Sequence, residues 1–381
     1  MADQPPPSKP LEGVLVVSLE QAVAGPLATA RLAAAGARVI KIERPEGDFA
    51  RGYDVAANGI SSYFAWGNQG KESIALDLKQ PDDLTLMKRM LEQADVFVQN
   101  LAVGATARMG LDAATLRTAH PGLIVCDVSG YGPDGPYAEM KAYDLLVQAE
   151  SGLLSISGPP GPYGRVGVSL VDGITGYNAA IAIMEALYRK ARTGEGAHLE
   201  TSLFACAADL MTVPLLHFDY LGKAPERVGL AHPSVAPYGG FQTADDQTVV
   251  ISIQSDREWR TLCEEVMDRP ELADDLRFVT NNDRSANRAE TDTIVSDAFA
   301  RFDRVELEDR LRSSRIAFGA VNQLSDLSSH AQLRRVPVEH PLGTVELPAP
   351  PVTADWHEAL RVPAIDEHGA ALRAEFAARV P

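Results

Sequence analysis

The sequence predicts an α/β fold built on a parallel sheet, and three observations lead there. Short Val- and Ile-rich runs alternate with helix-like stretches through the first two hundred residues. Gly or Pro breaks separate them, and the texture changes beyond Gly222. Strands joined by helices in this way lie parallel and are covered on both faces.

The first run covers 14–18. A break at Gly25-Pro26, an Ala-rich helix over 27–35 and a second run over 39–42 complete a β-α-β unit. A helix over 82–93 then precedes a strand at 96–98, and Asp112 is a good N-cap for a helix leading to the strand at 123–126. Ligands belong at the carboxyl ends of such strands, here the loops 20–26, 43–51, 100–104 and 129–136.

The stretch from Gly167 onward organises the rest. Ile174, Tyr177, Ile181, Met184 and Tyr188 repeat at three and four, so a helix reaching Lys190 is expected to turn this face to a core. Lys190 and Arg192 suit its last turn, and Gly194 suits a left-handed residue closing it. Asp172 stands at the opposite, positive end. That place fits an N-cap; it also fits a reacting carboxylate kept ionised by the helix dipole and free backbone N–H groups. Gly167, Gly173 and Gly176 around it let a bulky ligand approach the backbone.

A strand over 198–202 and an apolar helix over 203–216 follow. The Gly- and Pro-rich 222–240, containing His232, reads as a linker into a second domain with a strand at 249–253 and mostly helices to about 327. Segment 334–351, with its prolines, should be extended, and 354–378 closes the chain.

Composition narrows the function. Thirty-five basic against 52 acidic residues leave a formal charge of −17, which argues against a nucleic-acid partner and for a soluble cytoplasmic protein. Cys126, Cys206 and Cys263 are isolated, pointing to neither disulfides nor zinc. No apolar run reaches the length of a membrane span. There is no phosphate-binding loop, because 67–71 has the wrong spacing. The first β-α turn lacks G-x-G-x-x-G, which argues against an ordinary dinucleotide fold, and Ser169 is not in a hydrolase elbow. No H-E-x-x-H or other metal-ligand set is visible.

An ordered set of short segments carries a resemblance. It comprises Leu11-Glu-Gly-Val14, Ala24-Gly25-Pro26, Gly36 through Pro45, Gly47-Asp48, Tyr63-Phe64, Asn68, Lys71, Ser73, Leu76-Asp-Leu-Lys79, Arg108-Met-Gly-Leu111, Ser129-Gly-Tyr-Gly132, Tyr143-Asp144, Gln148 and the stretch around Asp172. Together they resemble the class III CoA-transferases, the formyl-CoA and carnitine CoA-transferase type. The resemblance implies a large Rossmann-like α/β domain built from both chain ends, a smaller inserted α+β domain, and an interlocked homodimer. The corresponding division is 1–201 large domain, 202–240 linker, 241–325 small domain, 326–350 linker and 351–381 return.

By the same resemblance Asp172 is the nucleophile that moves CoA from an acyl-CoA donor to a carboxylic acid acceptor, with no tightly bound cofactor. CoA would contact Val23, Ala24, Arg44, Leu76, Lys79, Asn100, Arg108, Lys141 and Asp144. Arg44 would lie near the adenine and 3′-phosphate, and Val23-Ala24 near the thioester. Each of these cations also reads as a solvated surface charge. Val23 stands where formyl-CoA transferases carry Gln, which argues against formyl or oxalyl transfer. Tyr143 stands where the superfamily's α-methylacyl-CoA racemases carry His, leaving racemisation second and CoA-ester binding without turnover third. The run from His232 to Gly239 resembles members acting on short dicarboxylic acids, with His232 as a contact to the acceptor.

Overall fold

Six parallel strands carry the fold: β1 (Leu15–Leu19), β2 (Arg38–Glu43), β3 (Lys71–Ala75), β4 (Val96–Gln99), β5 (Ile124–Ser129) and β6 (His198–Ser202). Their order across the sheet is β3-β2-β1-β4-β5-β6, with Val17 of β1 between Ile40 of β2 and Phe97 of β4. The computed structural model describes residues 9–358 and 360–377.

Alternate side chains of these strands enter two separate cores. Val16, Val39, Val96 and Ile124 pack under the first helix (Ala24–Ala34) and the long helix (Leu170–Thr193). Val17, Ile40, Phe97 and Val125 pack under the helices Pro81–Gln93, Ala113–Ala119 and Gly369–Glu375. Each fully buried Val, Ile or Phe contributes about 1.5–3 kcal/mol, so both faces hold the sheet in place. The order is that of the doubly wound dinucleotide-binding fold, although the first turn lacks the glycine fingerprint. Its chain reversal falls between β1 and β4, where crevices open in such sheets.

The chain divides into two compact units. The larger contains the residues up to Leu153, Val166–Thr212 and those from Arg334 onward; the smaller contains Leu154–Arg165 and Val213–Leu333. In the smaller, β7 (Tyr238–Gln242), β8 (Thr248–Ser252) and β9 (Ala317–Ala320) form an antiparallel sheet, and Trp259, Phe278 and Phe299 help fill its core. Both expected linkers prove structured. Residues 202–240 hold the helices Leu203–Leu210 and Thr212–Leu221 as well as β7, so the single helix expected over 203–216 is two. Residues 326–350 hold an antiparallel hairpin, β10 (Arg335–His340) with β11 (Gly343–Pro348). Its Val338 and Val345 share a core with Ile60 and Phe64.

Two further expectations fail for physical reasons. Gly25 and Pro26 do not break the chain but sit in the first turn of the first helix. The N–H that Pro lacks would have no intrahelical partner there. The long helix, closed by left-handed Gly194 as expected, buries the other face. Val171, Thr175, Gly176, Ala179 and Ile183 face the core, while Tyr177, Ile181, Met184 and Tyr188 are exposed. Small residues bring the two helices together: a Cβ on Gly176 would lie 2.6 Å from the Ala24 carbonyl oxygen.

Candidate active site

Asp172 is the third residue of the long helix, and Ser169 occupies the N-cap. It is therefore not a cap. That work is done from another helix, Asp144–Glu150, whose Asp144 Oδ1 accepts the Val171 and Asp172 N–H groups at 2.7 and 3.2 Å. Buried Gln148 donates its Nε2 to Asp144 Oδ2 at 2.5 Å and accepts the Val166 N–H at 3.1 Å, which fixes the Asp144 carboxylate. Asp144 thus takes the stabilisation expected for Asp172.

Asp172 is left half-buried, and among the described residues its carboxyl has no hydrogen bond or ion pair. Burial first, and the Asp144 charge second, push it up to about 7. The expectation of a strongly ionised carboxylate is overturned. Asp172 is instead a carboxyl near half-ionisation at neutral pH, more basic and hence more nucleophilic than an ordinary aspartate. Tyr53, unremarked in the sequence, lies within electrostatic reach of Asp172. Its phenol is raised to about 12 by burial and by neighbouring Asp48, Tyr143 and Asp172, so it stays a hydrogen-bond donor.

The glycines divide by role. Gly176 is required by the first helix, whereas a Cβ on Gly173 or Gly167 would meet nothing within 4 Å. Gly173 therefore borders open space next to Asp172. The first helix reaches the long helix one turn beyond Asp172, through the Ala24 carbonyl. Val23 is its N-cap and Ala24 its first residue, both buried. Among the described residues the N–H groups of Val23, Ala24 and Gly25 have no acceptor.

The remaining candidates follow the carboxyl ends of four strands of the sheet: Arg44 after β2, Lys79 after β3, Arg108 after β4 and Lys141 after β5. All four cations are exposed, and none is in an ion pair among the described residues. Arg44 lies over the Phe49 ring at 6.0 Å. Two candidates are committed elsewhere. The Leu76 side chain belongs to the core. The Asn100 amide accepts the Gln21 N–H at 2.9 Å and donates to the Gln21 carbonyl at 2.8 Å, so it holds a loop. In the smaller unit the His232 ring stacks on Tyr238, and its Nδ1 accepts the Ser234 N–H.

Sequence reasoning missed a cluster of buried charges behind the β1 loop. Lys71 Nζ meets Glu20 Oε1 at 2.6 Å and Lys41 Nζ meets Asp48 Oδ2 at 2.8 Å, all four side chains buried. The signal was Lys41 within an otherwise apolar strand. Also missed was a group on the β5–β6 edge. Asp127, His198 and Glu200 bring possible ligand atoms within 4.8 Å of one another, with Asp127 spent on His198 and Gln99.

Residues 11–368 match the family model for CoA-transferase family III. The chain is 38% identical to acetyl-CoA:oxalate CoA-transferase of Acetobacter aceti, over 98% of this chain and 97% of that protein. It is 34% identical to succinate–glutarate CoA-transferase of Agrobacterium fabrum, over 91% and 89% respectively. Among solved structures it is similar to a CAIB/BAIF family protein from Brucella suis, at a TM-score of 0.83 and 33% identity, covering 97% of this chain and 99% of that one. These matches span nearly the whole chain, which belongs to CoA-transferase family III.

Proposed function

We propose that this CoA-transferase moves CoA from an acyl-CoA to a short dicarboxylic acid, with Asp172 as the nucleophile. The ionised Asp172 carboxylate attacks the thioester carbonyl, expelling CoA thiolate and leaving a mixed anhydride. The thiolate attacks the Asp172 acyl carbon, releasing the donor acid and giving an aspartyl-CoA thioester. The acceptor carboxylate displaces CoA thiolate from that thioester to form a second anhydride, and the thiolate then takes the acceptor's acyl group. Asp172 is regenerated, and thioester energy is conserved throughout.

One observation carries this reading: a half-buried carboxyl without a partner, raised to about 7, beside the open space at Gly173. Free N–H groups at Val23, Ala24 and Gly25 would stabilise the developing oxyanion. The unpaired cations Arg44, Lys79, Arg108 and Lys141 would receive the CoA phosphates in an otherwise acidic protein. Both relatives above are named for dicarboxylic acids, oxalate and glutarate. Oxalate therefore returns as a candidate acceptor despite Val23.

A second copy of the chain would cover the exposed stripe Tyr177, Ile181, Met184 and Tyr188 and the helix Thr212–Leu221, which buries none of its residues. This supports a homodimer, and its interlocking is what the family resemblance implies. No described helix is long and apolar enough to cross a membrane, and we place the reaction in the cytoplasm.

Incubation with succinyl-CoA and a panel of mono- and dicarboxylic acids, read by mass spectrometry, tests the proposal. Dicarboxylic acids should give new CoA thioesters with kcat/KM about tenfold or more above monocarboxylic ones. No new thioester, or a preference for monocarboxylic acids, would overturn it.

A further inference from the structure

The loop between β1 and the first helix is held in a conformation that its own sequence disfavours. Ala22 has φ +64°, in the left-handed region that costs a residue with a Cβ. Side chains from elsewhere on the sheet hold its backbone groups one after another.

Lys41 Nζ, from β2, donates to the Glu20 carbonyl at 3.4 Å. The Asn100 amide, just past β4, takes both the N–H and the carbonyl of Gln21. Asp48 Oδ1, from the loop after β2, accepts the Ala22 N–H at 3.1 Å, while its Oδ2 is paired with Lys41. Four consecutive polar backbone groups, from the Glu20 carbonyl to the Ala22 N–H, are thus clamped by three side chains.

A second pair fixes the two ends of the segment. Lys71 Nζ, from β3, binds the Glu20 carboxylate and also the Pro26 carbonyl at 2.9 Å. Thr29 adds its hydroxyl to Glu20. Buried charges are costly unless fully partnered, and an apolar set of the same volume would serve stability as well. A lattice of four buried charges therefore calls for another reason. The clamped groups stop at Ala22, and the next three N–H groups, Val23, Ala24 and Gly25, are without acceptors among the described residues.

We propose that Asn100, Asp48 and Lys41, backed by Glu20 and Lys71, are positioning residues. They lock residues 20–22 so that the Val23–Gly25 N–H groups are aimed in advance at the acyl oxygen during transfer. The inference rests on Asp172 being the reacting carboxylate. It gives Asn100 a role different from a contact to CoA: holding the donors, without touching the substrate.

The test uses two variants of the full-length chain. Asn100→Ala removes the neutral clamp and leaves no unpaired charge. The double variant Lys41→Met with Asp48→Ala removes the buried pair together, so that neither charge is stranded. Each is assayed with succinyl-CoA and its best acceptor, and acyl-enzyme formation is followed in a single turnover. Misaimed donors act on the transition state, so kcat should fall about 10- to 100-fold with KM for the acyl-CoA within about threefold of the parent, in whichever variant remains folded. Acyl-enzyme formation should slow by the same factor.

A folded Asn100→Ala protein with kcat within about threefold of the parent would overturn the proposal. A raised KM at unchanged kcat would too, because it would make Asn100 a binding contact. Asp172→Ala is run alongside. If it stays active, the Asp172 reading itself has failed; if it is inactive while Asn100→Ala turns over normally, only the positioning proposal has.

Discussion

Replacing Asp172 by Asn should make the protein more stable above neutral pH while abolishing transfer. The folded state binds the Asp172 proton more tightly than the unfolded chain does, because burial and the Asp144 charge raise the carboxyl from 3.8 to about 7. A raised acid contributes in favour of folding only while it is protonated. Stability is therefore lost as pH climbs from about 4 through 7, and above that the charged carboxylate is a fixed burden. At 1.36 kcal/mol per tenfold change in proton affinity, the ceiling is about 4 kcal/mol. Asp172 is partly exposed, and solvent screens it, so about 1–2 kcal/mol is the expected gain for the Asn variant at pH 8. Parent and variant, compared by denaturant midpoints at equal protein concentration, should differ at pH 8 and converge by pH 4–5. A variant no more stable than its parent at pH 8, or a gain unchanged between pH 5 and 8, would refute the reasoning.

Three further outcomes follow from the same geometry. The kcat/KM for acyl-CoA should rise about tenfold per pH unit below 7 and level off above, because the ionised Asp172 attacks; a profile flat from pH 5.5 to 8 would contradict this. Gly176→Val should destabilise the protein by at least about 1–3 kcal/mol, since its Cβ would meet the Ala24 carbonyl oxygen at 2.6 Å, and thermal melting reads this directly. Ile181→Arg, in the exposed stripe of the long helix, should lower the melting temperature if a second copy covers that face, because an interlocked pair cannot separate while folded and the covered charge shows as lost stability; an unchanged melting temperature would contradict this.

The strands were legible where the chain buries both faces with aliphatic residues, as in β1, β2, β4 and β5. β3 was not, because its inward positions carry Lys71 and Ser73, polar residues serving the charge lattice and Glu43. The long helix was legible in extent but not in orientation. Tyr177, Ile181, Met184 and Tyr188 outrank Ala179 and Gly176 in hydrophobicity, yet close packing against the first helix selects the small residues. Asp172 could be singled out by its place at a helix start and by resemblance. Its protonation could not, since that depends first on burial within the fold and then on the charge of Asp144, 28 residues earlier in the chain. Asn100 and Leu76 illustrate the same limit: both belong to segments expected at the ligand, but their side chains are turned to the loop and the core.

The most direct measurement is the mass of the peptide containing Asp172 after the enzyme is quenched during turnover with acyl-CoA. The account predicts a CoA thioester on Asp172 that hydroxylamine or borohydride removes and that is missing from Asp172→Ala. Continued turnover with that peptide unmodified, or an adduct on a different residue, would contradict it.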